Sequence, residues 1–202
     1  MMRQASSIIA VLVLAAAWLG PLPELAAGSF AAHMTLHMIV VAIAAPLMSI
    51  GLAGSSLDPV EKVPGLFAAL PASLIELVVV WTWHAPALHH AARHRSEIFV
   101  VEQALFLAAG LFFWVSVLGG KADTRMKRAG GGIVALLLTF AHMTLLGALL
   151  SLTPRVLYHG SLEDQQLGGT IMLVLSGISY IGGGLWLSHG MVGRMRPQVG
   201  PA

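Results

Sequence analysis

Apolar residues run almost unbroken through six stretches of the chain, at 5–20, 31–53, 72–88, 98–118, 131–152 and 168–188, separated by short segments that collect the charges and prolines. A bilayer core takes about 20 mainly apolar residues per helix, so each stretch predicts one transmembrane helix. No polar stretch between them is long enough to fold alone. Residues 1–202 are therefore read as one integral membrane domain, all-α, a polytopic bundle of six transmembrane spans. The first stretch is the shortest, with Arg3 in front and Pro21-Leu22-Pro23 behind. A cleaved signal peptide competes with a retained span there, and the poor A-x-A cleavage pattern favours retention. The segment from Gly54 to Pro71 carries Asp58, Glu61, Lys62, Pro59 and Pro64, which predicts a loop with a short interfacial helix.

Composition agrees with the pattern. The chain is 57% hydrophobic and 10% charged, against about 25% charged in soluble domains. Cysteine is absent, which excludes disulfides, thiolate metal sites and thiol redox chemistry. The net charge of +2 offers no basic surface, so no nucleic-acid partner is expected. The basic residues serve topology instead. Lys121, Arg125, Lys127 and Arg128 make the strongest positive-inside signal. Placing that loop in the cytoplasm puts both termini there, together with Arg3, Lys62, Arg194 and Arg196, and leaves Arg93, Arg95 and Arg155 outside.

The same topology sorts the histidines. His33, His37, His84, His89, His90, His94 and His159 fall at the outer side, His142 near mid-membrane and His189 inside. The segment Ala32-His33-Met34-Thr35-Leu36-His37-Met38 is the chemical centre of this group. Residues four apart on a helix share a face. Imidazole suits copper in both common oxidation states, and thioether sulfur favours Cu(I). The structural alternative is histidines satisfying helix-end carbonyls beside packing methionines.

Trp81-Thr82-Trp83-His84-Ala85-Pro86 combines interfacial aromatic anchors with a proline that ends the helix, leaving His84 as a candidate ligand. His89, His90 and His94, beside Arg93 and Arg95, read as a solvated loop. A charge at mid-bilayer costs about 2.5 to 3.5 kcal/mol, so Glu102 needs a partner. It is expected to orient a ligating histidine or to pair with Arg93 or Arg95, ahead of ligating metal itself. Glu76 is read as structural.

His142 lies halfway along its span and must face the bundle interior. Ala141-His142-Met143-Thr144-Leu145 repeats Ala32-His33-Met34-Thr35-Leu36, and its helix runs in the opposite direction, so His142 is expected to meet the first pair in the core. Asp164, in Leu162-Glu163-Asp164-Gln165-Gln166-Leu167-Gly168-Gly169-Thr170-Ile171-Met172, suits a helix N-terminus and is also a candidate support for a ligating histidine. Gly168 and Gly169 permit close helix packing. Met172 reads as packing at the depth of His37.

These motifs, in this order, resemble the cytochrome c oxidase assembly factor family called CtaG, associated with caa3-type oxidases. The likeness runs from Ala32 to Leu187. It rests on His33-Met34 to His37-Met38 with Pro46-Leu47, on Trp81 to Pro86, on Glu102 to Phe106 with Phe113-Trp114, and on Asp164-Gln165-Gln166 with Gly169 and Ile171-Met172. Leu36 and Gln103 depart from the family pattern, which commonly has Gln and His there. The resemblance implies a multi-pass protein of the bacterial plasma membrane that matures the oxidase by supplying copper to the haem-copper centre of its catalytic subunit. An outer-side copper donor protein is the implied upstream partner.

The combined expectation is a Cu(I) chaperone. His33, His37 and His142 are the favoured ligands, Met34, Met38 and His84 the next, with Glu102 and Asp164 in support. No hydrolytic triad, phosphate loop or hydride-cofactor motif is present, so the chain is not expected to be an enzyme. Two alternatives stay open. A b-type membrane cytochrome would use paired histidines to ligate haem. A copper transporter would need a path to the inner side, where His189, Met191 and Met195 are the available ligands.

Overall fold

The computed structural model describes residues 2–158 and 160–195. His159 and Arg196, and the side chains of Arg194 and Met195, lie outside the described residues. Helices carry the whole architecture, with no strand among the described residues. In chain order they are α1 (Met2–Leu19), α2 (Leu22–Gly28), α3 (Phe30–Met38, a π-helical stretch Ile39–Ala44, then Ala45–Leu52), α4 (Pro59–Lys62), α5 (Ala69–Trp83), α6 (Pro86–His94), α7 (Ser96–Leu118), α8 (Ala122–Leu152) and α9 (Leu162–Ser176, a π-helical stretch Gly177–Ile181, then Gly182–Met195).

Five helical segments are long and apolar enough to cross a membrane: Met2–Leu19, Phe30–Leu52, Ser96–Leu118, Ala122–Leu152 and Leu162–Gly193. Ala69–Trp83 is apolar but only 15 residues long. The bundle turns large apolar side chains outward, among them Val100, Leu138, Leu149 and Leu185. Such a surface suits lipid as solvent, with backbone polar groups satisfied inside the helices.

Two sequence expectations change at helix ends. The third apolar stretch, expected to continue to 88, breaks after Trp83. Pro86 has no N–H and pushes Ala85 into an extended conformation (φ −64, ψ 130), then opens α6 as its first residue. The supposed loop of His89, His90 and His94 is therefore helical. Likewise, the basic segment from Lys121 to Arg128 is not a loop, because α8 begins at Ala122. Asp123 in its first turn complements the helix dipole.

The start of α8 is also tied down from outside. Asp58, buried before α4, accepts hydrogen bonds from Gly54 N (2.6 Å), Val60 N (3.0 Å) and Gly120 N (2.7 Å). Gly120 has φ +87, a left-handed conformation that glycine adopts without a steric penalty. One carboxylate thus joins the loop after α3 to the loop before α8.

The π-helical stretch in α3 has a local cause. Pro46 cannot donate to the carbonyl of Ala42, four residues earlier, and its ring crowds that oxygen. The widened turn leaves carbonyls to be satisfied from elsewhere. Ser179 Oγ donates to Ala42 O (2.8 Å) and Trp114 Nε1 donates to Val41 O (2.9 Å). Ser179 belongs to the π-helical stretch of α9, so the two widened turns are bonded to each other. π-turns of this kind recur at functional sites.

Candidate metal centre

α3 begins where Ser29 caps it, accepting from Ala32 N (3.2 Å). Asp164 reinforces the same end. Its carboxylate accepts from Ser29 Oγ (2.7 Å), Phe30 N (2.6 Å) and Ala31 N (3.3 Å). An anion bonded to N–H groups of a helix N-terminus is favoured by both hydrogen bonding and the dipole. Asp164 therefore holds the helix that carries the histidines, and among the described residues no histidine is hydrogen-bonded to it. Gln165 and Gln166 complete the motif by binding the preceding loop. Gln165 Oε1 accepts from Leu157 N (2.7 Å) and its Nε2 donates to Arg155 O (3.1 Å).

One turn into α3, His33, Met34, His37 and Met38 are all fully buried. α5 brings His84 to the same place from its C-terminal end. The ring centroids of His33 and His37 lie 5.8 and 5.2 Å from that of His84. His84 Nδ1 lies 2.7 Å from the Val80 carbonyl. A carbonyl only accepts, so Nδ1 carries the proton and Nε2 presents its lone pair. That lone pair points at Met34 Sδ, 3.4 Å away. His33 and His37 have no hydrogen-bond partner at either ring nitrogen among the described residues. Buried imidazoles without partners are costly.

The walls of the cluster are aromatic. Phe106 from α7 lies 4.1 Å from the His37 ring. Phe30 stacks on Tyr158 at 4.4 Å, and Tyr158 Oη donates to the His84 carbonyl (2.6 Å). His89, expected to be solvated, is buried, its ring edge-on to His33 at 4.8 Å. Sequence reasoning missed it by reading a loop. On a helix started by Pro86, His89 and Ala92 fall on one face, which is the buried face here.

Glu102 is fully buried in α7. It pairs with Arg93 of α6, and its Oε2 lies 3.9 Å from His33 Nδ1. Gln103 Nε2 also donates to Glu102 (3.3 Å), while Gln103 Oε1 accepts from Trp18 Nε1 of α1 (3.2 Å). Burial lowers the Arg93 guanidinium from its ordinary value, and Glu102 opposes that shift. The expected ion pair is thus made with Arg93, and it borders the histidine cluster without entering it.

His142 is not brought to this cluster. Ser73 of α5 and Thr139 of α8 hydrogen-bond at 2.9 Å, and both helices leave the end of the bundle where Asp58 meets Gly120. Counting from that level at 1.5 Å per residue, His142 stands about 12 Å short of His84 along the bundle. No ring contact joins it to His33, His37 or His84 among the described residues. Both of its ring nitrogens are buried with no hydrogen-bond partner among the described residues. Glu76 lies near the same level, fully buried, with Oε1 accepting from Tyr180 Oη (3.0 Å).

Among the described residues no three His, Asp or Glu side chains form a preset metal cage. The convergent donors are instead imidazole and thioether, a soft set. Together, fold and site define a polytopic α-helical membrane protein with histidines and a methionine gathered inside one end of the bundle. A family model of the cytochrome c oxidase caa3 assembly factor (Caa3_CtaG) matches residues 1–192, and the chain belongs to that family. No curated protein and no solved structure matches the chain.

Proposed function

We propose that this oxidase assembly factor is a copper chaperone, holding Cu(I) at His33, His37, His84 and Met34 and passing it to the catalytic subunit of the oxidase. The observation that carries the reading is the pair of fully buried histidines with unpartnered ring nitrogens, beside an imidazole lone pair and a thioether 3.4 Å apart.

Neutral imidazoles and a thioether hold Cu(I) without offering it an electron. Release is ligand exchange with histidines of the recipient, so the protein transfers copper and catalyses no reaction. The positive-inside rule assigns the end with Lys121, Arg125, Lys127 and Arg128 to the cytoplasm, which turns the histidine end outward in the bacterial plasma membrane. Both chain termini then face the cytoplasm, and an outer-side donor would load the site. Residues 1–202 act as one membrane domain in this reading. The edge-on packing of His89 against His33 and of His84 against His37 favours a single ion over haem, whose porphyrin needs an open slot between its axial ligands.

Metal analysis of the detergent-purified protein beside a His33→Ala/His37→Ala variant tests the site, with oxidase activity measured in cells carrying each. The variant is expected to lose copper and to leave the oxidase immature at limiting copper. Equal copper content in both proteins would overturn the site.

A further inference from the structure

α6, nine residues long, carries three histidines to two different places. His89 turns into the buried cluster. His90 and His94 are both exposed, one turn apart, with ring centroids 4.1 Å from each other. The opposite face of α6 is anchored. Ala92 is buried, and Arg93 binds Glu102 and donates to Ala26 O (3.4 Å). The backbone beneath the exposed pair is therefore held, and little is left to order when the two rings converge on a ligand.

Histidines at i and i+4 project from one helical face and close on one metal ion through two imidazole nitrogens. Within α6 the two imidazoles are the side-chain metal donors on this face, and Glu24 of α2 lines a cavity with His94. For imidazole ligands the order of divalent first-row ions puts Cu(II) above Ni(II) and Zn(II). We propose that His90 and His94 form a second metal site, exposed at the histidine end of the bundle, that takes a divalent first-row cation and binds Cu(II) most tightly.

The place of this pair is informative. With His89, Arg93, Ser29 and Phe30, His94 also lines a small cavity of about 30 Å³, room for one water-sized occupant. Phe30 and His89 in turn touch His33. His94 thus stands between solvent and the buried histidines. The existence of the site depends only on α6. Its use as a landing point ahead of the buried cluster rests on the proposed copper function.

The test is Cu(II) titration of the full-length protein in detergent, followed by calorimetry and by the nitrogen couplings of the bound ion in its paramagnetic resonance spectrum. Wild type and His33→Ala/His37→Ala are expected to bind a nitrogen-coupled Cu(II), and His90→Ala/His94→Ala to lose it. Both replaced residues are exposed, so helical content serves as the check that the variant is folded. A His94→Ala/Arg95→His variant restores the number of histidines but shifts the spacing to five, and is expected to bind as poorly as the double alanine. Wild-type binding by either α6 variant would overturn the site. Cu(I) loading, measured separately against a chromophoric chelator, reports the buried cluster. Its failure in wild type would count against the chaperone reading and leave the α6 site to the Cu(II) result.

Discussion

His84 Nε2 and Met34 Sδ face each other at 3.4 Å across the boundary between α5 and α3. The Val80 carbonyl claims the proton on the other ring nitrogen, so two electron-pair donors meet with no hydrogen between them. In the proposed function a soft cation takes the place between them. Replacing Met34 by Leu keeps the volume and removes the sulfur, a swap that costs a packed core less than about 1.5 kcal/mol. The expected outcome is a folded protein whose Cu(I) affinity falls on the order of tenfold, about 1.4 kcal/mol, in competition with a chromophoric chelator. Unchanged affinity would remove Met34 from the site.

Asp164 offers a different kind of test, because it acts on the helix that carries His33, Met34 and His37. Asp164→Ala deprives Phe30 N, Ala31 N and Ser29 Oγ of their shared acceptor. Losing a cap of this type costs about 0.5 to 2 kcal/mol. Thermal unfolding in detergent should show that loss, and Asp164→Asn, which keeps an acceptor oxygen, should recover part of it. Equal loss in both variants would mean that the negative charge, and not the hydrogen bonding, holds α3.

Close approach of α9 to α3 is set by one missing side chain. A Cβ on Gly168 would lie 2.5 Å from the Phe30 ring and 3.0 Å from Met34 Cγ. Overpacking of this kind costs about 1 to 3 kcal/mol, so Gly168→Ala is expected to lower the unfolding temperature and to disturb Cu(I) binding through Met34. Gly130→Ala in α8, where nothing lies within 4 Å of the added atom, is the control. It should be neutral or stabilising by up to about 1 kcal/mol.

Arg93 and Glu102 form a buried pair between α6 and α7. Breaking such a pair by removing one partner costs about 3 to 5 kcal/mol, because the other charge stays buried. Arg93→Ala should therefore destabilise the protein more than Arg93→Ala/Glu102→Gln does. A double-mutant cycle on thermal unfolding measures the difference. Additive effects would show that the ion pair adds nothing beyond its separate packing.

Much of this arrangement was legible from the chain alone. Helix length in a bilayer is a local requirement, so the apolar stretches fall on helices. The shared face of His33 and His37 follows from helical period, and the cost of a mid-membrane carboxylate pointed to a partner for Glu102. Other features were not legible. The basic segment from Lys121 to Arg128 looks like a loop until Asp58 and Glu61 are seen to bind Gly120 N and Lys121 N (both 2.7 Å). His89 looks solvated until Pro86 is seen to start a new helix.

What the sequence determined by itself is the class of fold and the helical face that His33 and His37 share, because burial in lipid and helical periodicity act along the chain; the family is carried by its motifs. Tertiary structure alone decided which histidines meet. The repeat of Ala-His-Met-Thr-Leu makes His142 the obvious partner of His33, yet the Ser73–Thr139 bond sets α8 at a height that leaves it about two turns too deep. His84 takes the place instead, because the relative heights of helices depend on loop anchors and interhelical hydrogen bonds. Neither is written in the periodicity of any one span.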